Sequence, residues 1–113
     1  MTSSFKEASL LELRPNCELC DRDLPPDSAE ARICTYECTY CVACVDSVLQ
    51  NVCPTCGGGF APRPIRPTNA WRPEKRLGLR YHPASSTRHY TPFTLDDIRA
   101  HVERIKDLPP ACR

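Results

Sequence analysis

Eight of the nine cysteines fall between Cys17 and Cys56, spaced as Cys17-x2-Cys20-x13-Cys34-x3-Cys38-x2-Cys41-x2-Cys44-x8-Cys53-x2-Cys56. Four close pairs supply eight thiolates, the number that two tetrahedral zinc sites take. Two residues between paired cysteines let one tight turn present both sulfurs to a single ion, while the amides of the turn donate to the thiolates and offset their charge. Cys17-Glu18-Leu19-Cys20 and Cys53-Pro54-Thr55-Cys56 have this form. In the second, Pro54 fixes the entry to the turn, and Gly57 and Gly58 can take positive φ as the chain leaves. Iron–sulfur clusters also use four thiolates, but regular pairs with knuckle turns favour two Zn²⁺. With every sulfur committed, no coordination position stays open for water or substrate, so these are expected to be structural sites.

The other reactive side chains add little. Cys112 stands outside the pattern and reads as a bystander thiol. His82, His89 and His101 share no ligand spacing and read as polar surface residues. No Ser-His-Asp set, P-loop or dinucleotide fingerprint occurs, so no catalytic constellation is found.

The elements that position the thiols must come from a small chain. Its 113 residues hold twelve prolines, four glycines and only 28 apolar side chains larger than alanine, cysteine apart. One domain is expected, with a core thin enough to need metal, disulfides or a partner. No apolar run approaches the roughly 20 residues of a membrane span, and Met1 to Leu13 lacks the apolar stretch of a secretory leader. A cytoplasmic protein without membrane contact is expected, and in that compartment clustered cysteines are metal ligands more often than disulfides.

Local patterns divide the chain into a zinc-binding domain over 14–62, an extended arm over 63–93 and a helix over 94–108. Within the first, residues 21–28 read as a loop, 31–36 as a strand returning through Tyr36 and Tyr40, and Val45 to Gln50 as a short helix whose N-terminus faces the Cys41 and Cys44 thiolates. The arm holds Pro64, Pro67, Pro73, Pro83 and Pro92, which exclude a helix interior. From Thr94 a cap, the acidic pair Asp96 and Asp97, and apolar Leu95, Ile98, Val102 and Ile105 mark an amphipathic helix that Pro109 and Pro110 stop. Its stripe is expected to bury on the arm or the zinc core, with Trp71 as an anchor.

Charge divides at the same boundary, with residues 1–56 at net −5 and 57–113 at net +6. Eight thiolates on two Zn²⁺ would bring the first part to about −9. The stretch from Arg63 to Arg88 holds Arg63, Arg66, Arg72, Lys75, Arg76, Arg80 and Arg88 against the single acid Glu74, with Trp71, Tyr81 and Tyr90 interleaved. Basic residues with aromatics between them suit nucleic acid, although the same arm could wrap the acidic zinc core.

The cysteine spacing resembles a RING finger in which Cys38 replaces the usual His. That resemblance implies a small zinc-stabilised α+β cross-brace with a hairpin and a short helix. It places Cys17, Cys20, Cys41 and Cys44 on one Zn²⁺ and Cys34, Cys38, Cys53 and Cys56 on the other. Sequential pairing, as in LIM domains, is the rival, disfavoured by the eight residues between Cys44 and Cys53 where a LIM loop is about twice as long. Leu19 and Pro54 match positions that contact the carrier protein in RING ubiquitin ligases, whereas the Trp between the third and fourth pairs is missing and Gly57 stands where an Arg is often near. The strings Leu11 to Pro26, Arg32-Ile33-Cys34 and Cys53 to Gly58 also resemble a small bacterial family classed as domain of unknown function 1272, which implies bound zinc and supplies no activity.

The function expected is a non-catalytic, zinc-binding module that engages a protein partner. Nucleic-acid binding through residues 63–90 and a RING-type ubiquitin-ligase-like adaptor are the alternatives.

Overall fold

The computed structural model describes residues 10–113, and the expectation for the first nine residues lies outside that range. Three short strands form an antiparallel sheet: β1 (Ala31–Ile33), β2 (Thr39–Cys41) and β3 (Ala61–Pro62), in the order β2-β1-β3. The hairpin pairs Ala31 with Cys41 and Ile33 with Thr39, and β3 joins the other edge of β1 through Arg32 and Ile33. Proline cannot donate to a ladder, and Pro62 sits on an edge strand where no donor is needed.

A helix, α1, opens at Val42–Cys44 and continues as a π-helical turn, Val45–Leu49. It starts three residues earlier than expected, directly from the last residue of β2. The chain leaves it through Gln50 and Asn51, both at positive φ. The second helix, α2 (Leu95–Ile105), begins at Thr94, whose hydroxyl accepts from the Asp97 amide at 3.2 Å. A turn follows, in which the Leu108 amide bonds to the Ile105 carbonyl, before the 3₁₀ turn Pro110–Cys112.

One core cluster joins the parts. Cys17, Cys34, Cys38, Cys41 and Cys53 are buried in it with Leu24, Ala31, Tyr40, Val45, Leu49, Val52, Ile98 and Val102. Tyr40 meets Phe60 edge-on, ring centroids 5.5 Å apart. Ile98 and Val102 thus bury α2 against the cysteine core rather than the arm. Two expectations fail here. Leu95 is 43% exposed because it lies in the first turn, ahead of the buried pair, and Trp71 is 78% exposed. Trp71 does not anchor α2: it stands on a loop closed at its neck by the Leu79 amide and the Pro67 carbonyl, with its ring open to solvent. Among the described residues no helix is long and apolar enough to cross a membrane.

Candidate metal centre

In each cysteine pair at least one sulfur faces a backbone amide. In the first, the Leu19 and Cys20 amides point at the Cys17 sulfur, as does the Cys41 amide from β2. The turn closes through the Asp21 amide on the Cys17 carbonyl at 2.9 Å, and Asp21 takes φ +67°. In the second, the Tyr36 amide donates to the Cys34 sulfur at 3.2 Å, with Glu37 at φ +72°. In the third, the Cys44 amide of α1 faces the Cys41 sulfur. In the fourth, the Thr55 and Cys56 amides face the Cys53 sulfur and the Gly58 amide donates to the Cys56 sulfur at 3.3 Å. Of the two glycines there, only Gly57 takes positive φ, +78°. A Cβ on it would also lie 3.5 Å from the Cδ1 atom of Ile105, so the turn fits closely under α2.

The sulfurs gather crosswise. Cys17, Cys20, Cys41 and Cys44 lie within 4.8 Å of one another, and Cys34, Cys38 and Cys53 form a second such group. The first pair therefore meets the third, and the second meets Cys53 of the fourth, which is not the sequential arrangement. The Cys56 sulfur stays outside the second group; the side chain is exposed and held by the Gly58 amide. Cys112 belongs to neither group.

Distances and charge both suit a cation. The Cys20 and Cys41 sulfurs are 3.8 Å apart. A disulfide needs about 2.05 Å, while a tetrahedron with metal–sulfur bonds of about 2.3 Å has an edge of about 3.8 Å. Hydrogen bonds with Cys34 and then Cys53 lower the Cys38 thiol to about 3, while those with Cys34 and then Cys38, followed by burial, push Cys53 upward. Burial, followed by the neighbouring Cys17 and Cys41 sulfurs, pushes Cys44 up, and burial raises Cys17. Cys41 is lowered overall: burial opposes ionisation, but hydrogen bonds from Cys44, Cys20 and Cys17 outweigh it. Crowded sulfurs of this kind share protons and cannot all ionise unless positive charge joins them. Two cysteine groups that can hold metal ions are thus present.

The remaining expected site residues divide. Pro54 is buried in the knuckle that α2 covers, and Leu19 is half-buried against the core, so the two do not form an open contact surface. Arg63 is only 4% exposed, and its guanidinium donates to the carbonyls of Arg14 (2.8 Å), Leu24 (3.2 Å) and Pro25 (3.0 Å). Burial lowers its pKa. Arg66 donates to the carbonyls of His82 and Leu11, each at 2.7 Å. Arg88 pairs with Asp21 at 2.7 Å and Asp23 at 2.8 Å, which raise its pKa. These three candidates for nucleic-acid contact are engaged by the protein itself. Arg72, Lys75, Arg76, Arg80 and Trp71 remain exposed.

Several supporting residues escaped the sequence reading. Buried Glu18 accepts from the Thr39 amide at 2.6 Å and from Arg14 at 2.9 Å, tying the first knuckle to β2. The Asn16 side chain exchanges hydrogen bonds with the His89 backbone, donating at 2.8 Å and accepting at 3.1 Å. His101 of α2 bonds to the Cys53 carbonyl at 3.0 Å, and Arg113 donates to the Asn51 and Gly57 carbonyls. Apart from the nearby Arg14–Glu18 pair, their partners are backbone atoms distant in sequence, which no local pattern marks.

Residues 10–66, which contain all eight clustered cysteines, match the family described as protein of unknown function (DUF1272). An uncharacterized protein of Rhizobium meliloti (strain 1021) is 49% identical over 83 residues, spanning 74% of this chain and 89% of that protein. No solved structure matches the chain. With its crossed cysteine pairs inside the matching segment, the chain belongs to the bacterial DUF1272 family.

Proposed function

We propose that the protein is a non-catalytic binding scaffold built on two structural Zn²⁺ in a RING-like cross-brace. Cys17, Cys20, Cys41 and Cys44 hold one ion, and Cys34, Cys38, Cys53 and Cys56 the other. The single observation that carries this reading is the crosswise gathering of the sulfurs, with Cys20 and Cys41 at a tetrahedral edge of 3.8 Å. Cys56 completes the second set by turning inward from a knuckle whose amides already face the Cys53 sulfur. Zinc supplies the charge that lets four thiolates coexist and cross-links chain segments that a thin core does not hold alone.

The residues around the ions have positioning roles. Glu18 and Asn16 fix the first knuckle, and α2 covers the fourth through His101 and Ile105. Four thiolates on each ion leave no place for a substrate, so the function lies in the surface that the fold displays to a partner. A cytoplasmic location accords with thiols kept reduced for metal.

Native mass spectrometry with elemental analysis, on protein purified without added metal, tests the reading. Two zinc ions per chain are expected. One ion, iron, or disulfides in place of metal would overturn it.

A further inference from the structure

We propose that the loop over residues 67–82 binds single-stranded nucleic acid, with Trp71 stacking on a base and Arg72, Lys75, Arg76 and Arg80 meeting phosphates. This rests on reading the protein as a binding scaffold, and it names the partner and the surface.

The loop is built to hold its shape. The Leu79 amide donates to the Pro67 carbonyl at 2.9 Å and closes the neck. Gly78 takes φ +103°, and a Cβ there would meet the Asn69 oxygen at 2.9 Å and the Pro67 oxygen at 3.1 Å. Glycine is required at that crossing, both for its conformation and for the approach of the two backbones. Beneath it Arg66 clamps the His82 and Leu11 carbonyls together. At the outer end, the short turn Pro73–Lys75 leads into Arg76 at φ +53°.

Among the described residues, the loop's basic side chains are not spent on holding the fold. Arg72, Lys75, Arg76 and Arg80 are all exposed, and none makes an ion pair among the described residues. Arg63, Arg66 and Arg88 from the same arm are held by carbonyls or carboxylates. Glu74 is the loop's one acid. Trp71 is 78% exposed and Tyr81 43% exposed, although the chain is short of apolar side chains for its core.

Aromatic faces among arginines suit unpaired bases, which stack on the ring while guanidinium groups take the phosphates. An anionic bilayer is a poorer match. Arg72, Glu74, Lys75 and Arg76 interrupt the apolar side chains between Trp71 and Leu77. The acidic remainder of the molecule would also be repelled by a plane of negative charge. A flexible strand touches the loop alone, and at physiological salt it is screened from charges more than about 8 Å away.

The test uses full-length, metal-loaded protein and a fluorescein-labelled twelve-nucleotide oligo-dT. Anisotropy and Trp71 emission are followed between 50 and 200 mM salt; the chain has one Trp, so its emission reports only this loop. Four phosphate contacts predict a slope of log affinity on log salt of about −2.8, an affinity loss of about 50-fold over that range. Trp71 emission should be quenched on binding. The double variant K75A/R76A should halve the slope, and Trp71→Ala should weaken binding at least about fivefold with the slope unchanged. Absence of binding or of quenching at 50 mM salt overturns the proposal, as does a K75A/R76A variant that binds like the parent. Equal or tighter binding to duplex DNA, to anionic phosphatidylserine vesicles or to polyglutamate overturns it too. Metal content measured on the same samples separates this from the scaffold reading: loss of binding with two ions per chain refutes the loop alone.

Discussion

Replacing Ile98 by Ala should undock α2 and expose the second cysteine group. Ile98 is 1% exposed and packs in the cysteine core, where truncation of Ile to Ala costs about 2–5 kcal/mol. An 11-residue helix has little stability of its own. Its remaining hold comes from Val102, half-buried Ile105, the His101 bond to the Cys53 carbonyl and the Arg113 contacts. A loss of about 3 kcal/mol raises the population of the undocked state roughly a hundredfold, since each 1.4 kcal/mol is tenfold in an equilibrium. Once α2 lifts, the knuckle of Cys53 to Cys56, which it meets through His101 and Ile105, lies open. Metal release to a chromogenic chelator should then become biphasic, with one equivalent per chain accelerated by up to that factor. Circular dichroism should show helix loss under the same conditions. Ile98→Val, costing about 1 kcal/mol, should fall between parent and Ala variant. Release of both equivalents at the parental rate, with helix content unchanged, would refute the claim that α2 guards the second group.

Loss of one structural zinc removes on the order of 10 kcal/mol of apparent folding free energy. Cys17→Ser and Cys56→Ser should therefore unfold the cysteine domain, while Cys112→Ser should not; thermal denaturation that gives all three the same midpoint contradicts the assignment. Arg63→Ala leaves three carbonyls without their donor and removes buried packing. It should cost roughly 2–4 kcal/mol, read by chemical denaturation, whereas exposed Arg72→Ala should change stability by less than about 0.5 kcal/mol; equal effects would show that Arg63 is not a structural clamp.

What the sequence discloses is chemistry that repeats or caps. The eight cysteines stand out because metal ligation needs close pairs, and α2 because Thr94, Asp96 and Asp97 precede an apolar stripe. The hairpin is legible from Ala31-Arg32-Ile33 and Tyr40, although its strands are only three residues each. Contacts that join distant segments are not legible. Arg63 and Arg66 look like the other basic residues of the arm until the fold brings carbonyls from residues 11–25 onto them. β3 has two residues and one is proline, so no alternation marks it. Pro54 is hidden because α2, some 40 residues later, covers its knuckle, and Leu95 shows that a helical stripe gives the buried face but not how far docking extends along it.

The proposed scaffold holds two zinc ions, each closed by four thiolates. X-ray absorption at the zinc edge tests this most directly, because scattering from the first shell counts sulfur against nitrogen and oxygen. Four sulfurs per zinc at about 2.3 Å are expected, with no lighter ligand. An average of about 3.5 sulfurs and half an oxygen or nitrogen per zinc, or still fewer sulfurs, would contradict it, since water or a histidine would then stand in place of at least one cysteine, with Cys56 the first candidate.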